Sequence, residues 1–296
     1  MLPRSGKRIQ TLFTQFRFIR ATPATMTKAP TVTQALPPMD PNISLSFTQP
    51  PLPAWKMGDG VANKAWAQGG GHDRKTWDMA TTSPKDTYQL LTSAIVPRPI
   101  AFVSSLSTDG VPNLAPFSYF SMVSHHPPLI SVSFRLSPAR PKDTRENVLA
   151  TKQFTVNIIS ENFVEAANAA STEAPADVNE WIVSGLTMAP STDVKPAYVE
   201  ESAASFECEL YSYQDITPLN STNVTTTMIL GLIKRVHIRK SVLREDGNQI
   251  DPAKLRPIAR LGSTTYSRLL NAFDLPRLPW NATTQDEYSV LQEKAK

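Results

Sequence analysis

The stretch from residue 96 to residue 159 constrains the fold most: VPRPIAFVSSLSTDGVPNLAPFSYFSMVSHHPPLISVSFRLSPARPKDTRENVLATKQFTVNII. It carries three short apolar runs. Residues 99–105 hold Ile100, Ala101, Phe102 and Val103. Residues 129–134 alternate cleanly, and residues 154–159 read Phe-Thr-Val-Asn-Ile-Ile. Runs of this length, bounded by turn formers, read as strands. Thr108-Asp109-Gly110 is a hairpin signal, so 111–115 is expected to return beside 99–105. Pro127-Pro128 marks another turn before the second run. The chain contains 26 Pro and only 11 Gly. That many prolines favours long ordered loops over a helical bundle.

The rest of the chain follows the same pattern. Residues 144–152 suit a short helix, with Asp143 or Thr144 as its N-cap. Residues 161–170 place Phe163, Val164, Ala166, Ala167 and Ala170 near helical spacing. Residues 181–190 and 194–198 read as loop with short β pieces. In 205–213, Phe206, Cys208 and Leu210 alternate with Glu207, Glu209 and Tyr211, as in a strand with one wet face. Residues 225–238 read as a long strand, and 251–255 as a single helical turn. Six or seven strands with short inserted helices predict a mainly β fold, an antiparallel barrel with α elements, rather than alternating βαβ units. Three regions are expected: a basic leader and Pro/Gly-rich arm over 1–76, a folded body over 77–275, and a helix-prone tail over 276–296. Trp55, Trp66 and the run Gly69-Gly70-Gly71 fall in the arm.

Charge is unevenly placed. Arg4, Lys7, Arg8, Arg17, Arg20 and Lys28 precede the first acidic residue, Asp40. Without those six, 24 basic residues face 26 acidic ones. This argues against a nucleic-acid-binding body, which would carry positive charge on its folded surface. The leader, with Leu12, Phe13, Phe16, Phe18 and Ile19, has the character of a mitochondrial transit peptide; a cytoplasmic chain with a basic tail is the alternative. No window approaches the ~18 apolar residues of a membrane-spanning helix. Cys208 is the only cysteine, which excludes an internal disulfide and a cysteine metal site.

Few residues suggest acid–base or nucleophilic chemistry. His125 and His126 are adjacent and would face opposite ways in a strand, which suits no shared metal. No G-x-S-x-G elbow and no G-x-G-x-x-G fingerprint occurs. His237, between Val236 and Ile238, is either a strand histidine or a donor at a ligand site. Two polar clusters remain. Asn113, Leu114, Ala115, Pro116 and Ser118 offer small side chains, an amide and backbone N–H groups to a flat ring. Ser133, Arg135, Lys142 and Thr144 combine hydroxyls and cations near a helix start, which suits a phosphate. Alone, each could be an ordinary polar loop.

Taken together, P-R-P-I-A-F-V-S-S, D-G, N-L-A-P-F-S-Y-F, P-P-L-I-S-V-S-F, K-D-T-x-x-N and F-T-V-N-I-I resemble the flavin reductase-like family over about residues 85–270. The resemblance implies an FMN-binding split β-barrel, usually a homodimer. It implies an oxidoreductase that takes hydride from NADH or NADPH and passes electrons to flavin, oxygen or another small acceptor. A flavoprotein oxygenase, or a barrel that binds flavin without turnover, is also compatible, and related split barrels bind haem or pyridoxal-type phosphates. Carried over by motif, residues 113–118 lie beside the flavin ring. Ser133, Arg135, Lys142, Asp143, Thr144 and Asn147 lie near the ribityl chain and phosphate. Arg260, Gly262 and Tyr266 match a segment closing over the site, with His237 a further candidate.

Overall fold

The computed structural model describes residues 37–61, 74–137, 142–172, 174, 175, 178–219 and 221–295. The leader over 1–25, Trp66, the run at 69–71 and Pro141 lie outside the described residues. The chain divides into two compact units, Met1–Asp40 and Pro41–Lys296. Residues 37–40 of the first have no regular secondary structure. Everything below belongs to the second.

That unit is built on a seven-stranded antiparallel sheet. Its strands are β2 (Ala101–Leu106), β3 (Pro112–Phe117), β4 (Phe120–His125), β5 (Pro128–Arg135), β6 (Gln153–Ile158), β9 (Ala204–Ile216) and β10 (Thr226–Ile238). The spatial order is β3-β2-β6-β9-β10-β5-β4. The Asp109-Gly110 turn joins β2 to β3 with Ala101 opposite Phe117, as the hairpin signal predicts. Gly110 adopts φ +82°, where glycine is at ease.

Side chains on a strand alternate between faces, and β2 buries both. Ile100 and Phe102 join one cluster with Leu114, Ile159, Phe163 and Trp181. Ala101 and Val103 join another with Ile130, Phe134, Phe154, Val156 and Ile229. This explains why 100–103 is continuously apolar while 129–134 alternates.

Helices accompany the sheet, and those at 143–151, 164–169 and 180–184 pack on it. The helices are α1 (Pro84–Ala94), α2 (Asp143–Thr151), α3 (Val164–Ala169), α4 (Glu180–Ser184), α5 (Pro252–Leu255) and α6 (Ala282–Lys294). α1 begins at Ser83, whose hydroxyl accepts the Asp86 N–H. α2 is capped by Lys142 without a side-chain bond, so Asp143 is its first helical residue rather than the expected cap. α4 occupies part of a segment expected to be loop. Asn179 caps it, and its own Trp181 is buried. Short pairs complete the unit: β7 (Met188–Ala189) with β8 (Tyr198–Val199), and β11 (Ile258–Leu261) with β12 (Thr265–Arg268).

Residues of the expected arm contact the body. β1 (Ser46–Phe47) pairs in parallel with β13 (Asn271–Ala272). Gly58 lies so close to α6 that an added Cβ would stand 2.7 Å from Leu291 Cδ2.

The wet face expected for 205–213 is not wet at Glu207, which has no exposed surface. The loop after β7 covers it, and backbone N–H groups of Thr192, Asp193 and Val194 solvate the carboxylate in place of water.

Candidate functional site

Two adjoining clefts open at the β3 side of the sheet. The first encloses about 310 Å³. β3 supplies Asn113, Ala115 and Pro116; the start of α2 supplies Lys142, Asp143 and Thr144. Ser171 and Thr172 follow α3, and Glu180 opens α4. Part of each polar cluster, Asn113, Ala115 and Pro116 from one and Lys142 and Thr144 from the other, therefore meets in one cavity, because β3 and α2 fold against each other.

A buried network sets this wall. Thr144 Oγ1 donates to Asn113 Oδ1 at 2.6 Å. Asn113 Nδ2 donates to Glu180 Oε2 at 3.3 Å, and the Leu114 N–H approaches the same oxygen at 3.4 Å. Asn147 Nδ2 donates to Ser105 Oγ at 3.1 Å, behind Asn113. The Asn113 amide is thus engaged inside the wall instead of being turned freely toward a ligand. Leu114 is fully buried core and Asn147 is buried; both support the cleft without lining it.

The second cleft encloses about 110 Å³ and shares Pro116 and Ser171 with the first. Tyr88 and Thr92 of α1, Arg98, Ser118, Tyr119 and the β11–β12 hairpin line it. From that hairpin come Arg260, Gly262, Ser263 and Tyr266. Gly262 takes φ +62°, which the tight turn requires. The Arg260 guanidinium lies 4.3 Å over the Tyr266 ring, whose hydroxyl donates to Asn168 at 2.8 Å.

Arg98 ties this cleft together. Its Nη1 donates to the carbonyls of Thr92 at 2.5 Å and Ile95 at 3.0 Å. Its Nη2 donates to Gly262 O at 2.7 Å, and its Nε reaches Ser118 Oγ at 3.4 Å. Burial pushes the Tyr119 phenol above its usual pKa, Tyr88 adds to the rise, and Arg98 and Arg135 oppose it.

Not every expected residue arrives here. The Arg135 guanidinium sits 5.6 Å over the ring of Tyr88, a residue of the second cleft, and does not line the first. Ser133 is held in the sheet opposite Met228, with its N–H donating to Tyr119 O, and lines neither cleft. His237 also lines neither. Its Nε2 lies 2.6 Å from Glu207 Oε1, and its ring stacks on Tyr198 at 4.5 Å. His125 and His126 are exposed, and no group of three or more metal-ligating side chains occurs among the described residues.

Sequence reasoning passed over Arg98, Tyr88, Tyr119, Ser171 and Glu180. An arginine between two prolines in an apolar run was a usable signal for Arg98. Glu180 gave none, since its helix is only five residues long.

Comparison with known proteins accounts for this architecture. The family described as flavin reductase like domain matches residues 93–253. An uncharacterized protein of Aquifex aeolicus (strain VF5) is 40% identical over 181 residues, 60% of this chain and 88% of that one. Nitrilotriacetate monooxygenase component B from Bacillus cereus is 32% identical with a TM-score of 0.65, over 69% of this chain and 99% of that one. A Shewanella frigidimarina NCIMB 400 protein assigned as a flavin reductase with split barrel domain shares the fold. Its TM-score is 0.58 at 22% identity, over 70% of this chain and 100% of that one. The chain therefore belongs to the flavin reductase-like family of flavin-linked oxidoreductases, and its seven-stranded sheet is that family's split barrel.

Proposed function

We propose that the chain is an FMN-dependent oxidoreductase that takes reducing equivalents from NADH or NADPH and passes them to flavin or another small acceptor. The observation that carries this reading is the junction of the two clefts at Pro116, with the start of α2 at one end of the larger. FMN fits the donor set there. Lys142 and the first-turn N–H groups of α2 suit a phosphate; the Ser171 and Thr172 hydroxyls beside them already donate to the Asn168 and Ala169 carbonyls. Ala115 and Pro116 suit the close approach of a flat ring. A volume near 310 Å³, at the small end of ligand sites, suits a mononucleotide better than a dinucleotide. When bound, the flavin supplies the hydride and electron transfer. The chain's own residues bind and orient it. Thr144, Asn113 and Glu180 lock β3 against α2 and α4, so the ring wall and the phosphate end keep a fixed separation. The second cleft leaves room for a small reactant beside the ring.

Arg135 is dropped from the phosphate end in this reading, which rests on Lys142 and α2. Met122 and Val123, exposed on the edge strand β4, support a homodimer. The basic leader supports mitochondrial targeting, which a fluorescent fusion of residues 1–36 would reveal.

The test is an absorption spectrum of the purified full chain, taken anaerobically before and after each nucleotide. The expected protein is yellow and is bleached by NADH or NADPH. Lys142→Ala should lower FMN content while Arg135→Ala leaves it unchanged. Flavin that neither nucleotide bleaches would defeat the reductase reading; a haem or pyridoxal spectrum would defeat the cofactor.

A further inference from the structure

We propose that the second cleft is a subsite for a small planar anion, an aromatic carboxylate, held by the charges of Arg98 and Arg260. Arg98 is only 7% exposed. Its four hydrogen bonds go to three carbonyls and a hydroxyl, all neutral. The Arg260 guanidinium rests on the Tyr266 ring and on Ser263 O, also neutral. Neither arginine forms an ion pair among the described residues. Among the described residues the cleft is lined by no Asp or Glu, in contrast with the first, whose lining includes Asp143 and Glu180.

Buried charge is ordinarily paired. Thr92 and Ile95 lie at the C-terminal end of α1, whose dipole offsets about half a charge. Arg98 therefore keeps about half a positive charge, and half-buried Arg260 adds its own, with no carboxylate paired to either among the described residues. A guanidinium has five N–H donors, so Arg98 keeps one beyond its four bonds. An anion supplies both the missing charge and the missing acceptor.

The rest of the lining sets the shape of that anion. Tyr88, Tyr119 and Tyr266 surround the space with aromatic rings, which favour a planar apolar body. A volume of about 110 Å³ equals roughly four waters. That admits one small ring with its carboxylate and excludes a dinucleotide. Since Pro116 and Ser171 border both clefts, the anion would lie against whatever fills the first. Its role as a reactant rests on the flavin reading above; the anion site itself does not.

The test titrates the purified full chain with sodium benzoate by calorimetry, with benzamide as its neutral twin. Benzoate is expected to bind at least tenfold tighter than benzamide. Arg260→Gln is expected to weaken benzoate at least tenfold while leaving benzamide binding and the melting temperature in place. Arg98→Gln cuts tethers that hold the wall, so Arg260 is the residue to vary. Equal binding of benzoate and benzamide, or unchanged benzoate binding in Arg260→Gln, would overturn the proposal. Inorganic phosphate binding as tightly as benzoate would overturn its aromatic part. A colourless protein that still shows the benzoate preference would refute the flavin and keep the subsite.

Discussion

Glu207 sits in the interior, with no lysine or arginine bonded to its carboxylate among the described residues. It accepts N–H bonds from Thr192 at 2.8 Å, Asp193 at 2.5 Å and Val194 at 3.0 Å, and His237 Nε2 lies at 2.6 Å. Burial pushes the carboxyl pKa up, but the N–H groups and the histidine outweigh it and hold the group below the usual carboxylate range. The same group in the unfolded chain titrates higher, near 4.5. Its stabilisation is therefore complete above that pH and drains away as pH falls through the depressed folded value. Glu207→Gln should cost about 2 kcal/mol at neutral pH and flatten the loss of stability in acid. Urea midpoints at neutral and acidic pH measure both, and a variant with the wild-type acid slope would refute the assignment. The same residue marks a limit of sequence reading. Alternation put Glu207 on a wet face, because period 2 gives the direction of a side chain and not what covers it. His237 keeps the strand-histidine alternative, but its partner could not be foreseen for the same reason: that partner is a carboxylate assigned to solvent. Lys142, Thr144 and Asn113 were legible because polar residues at a turn and at a helix start carry local meaning. Arg98 acts through carbonyls at Thr92, Ile95 and Gly262, and Gly262 is 164 residues away.

At the scale of elements, β6 and β10 sit on opposite sides of β9, and the Phe154 side chain of β6 reaches across to Gly231 of β10. A Cβ built there would stand 2.5 Å from Phe154 Cζ, and Phe154 is held in the core. Gly231→Ala is expected to destabilise by about 1–3 kcal/mol through overpacking, read as a lower melting temperature. A melt identical to wild type would show that Phe154 has room to move. Most strands were legible, since apolar runs bounded by Asp-Gly or Pro-Pro have only one short extended solution. β4 was not. Its sequence, FSMVSH, is largely exposed, and its strand character comes from pairing with β5. The C-terminal helix was anticipated as helix-prone; its capping box at Asn281 and Thr284 fixes where it starts.

For the whole molecule, the edge strand β4 matters most. It leaves Met122 at 73% and Val123 at 50% exposure, with the hydrogen-bonding edge of the sheet beside them. Such an edge is a place for another chain to pair or pack. The proposed homodimer predicts a native mass of two chains by light scattering, and Met122→Lys should shift it toward one. A wild-type chain that runs as a monomer at all concentrations would end that proposal. The fold class was legible across most of the body because its turns and runs lie close in sequence. The fastening of 46–47 was not, as its partner strand is far along the chain.

That fastening bears on the order of assembly. Ser46 and Asn271, which pair in β1 and β13, are separated by 225 residues. Closing a loop of that length costs about 5 kcal/mol in chain entropy. Two backbone bonds of 2.9 Å, from Ser46 N–H to Leu270 O and from Thr48 N–H to Ala272 O, return roughly 1 kcal/mol each. The clasp therefore closes only after the barrel has brought its ends together, and it opens before the barrel does. In hydrogen exchange, the amides of Ser46 and Thr48 should release their protons well ahead of those of β2, which makes them a timer for the last step of folding.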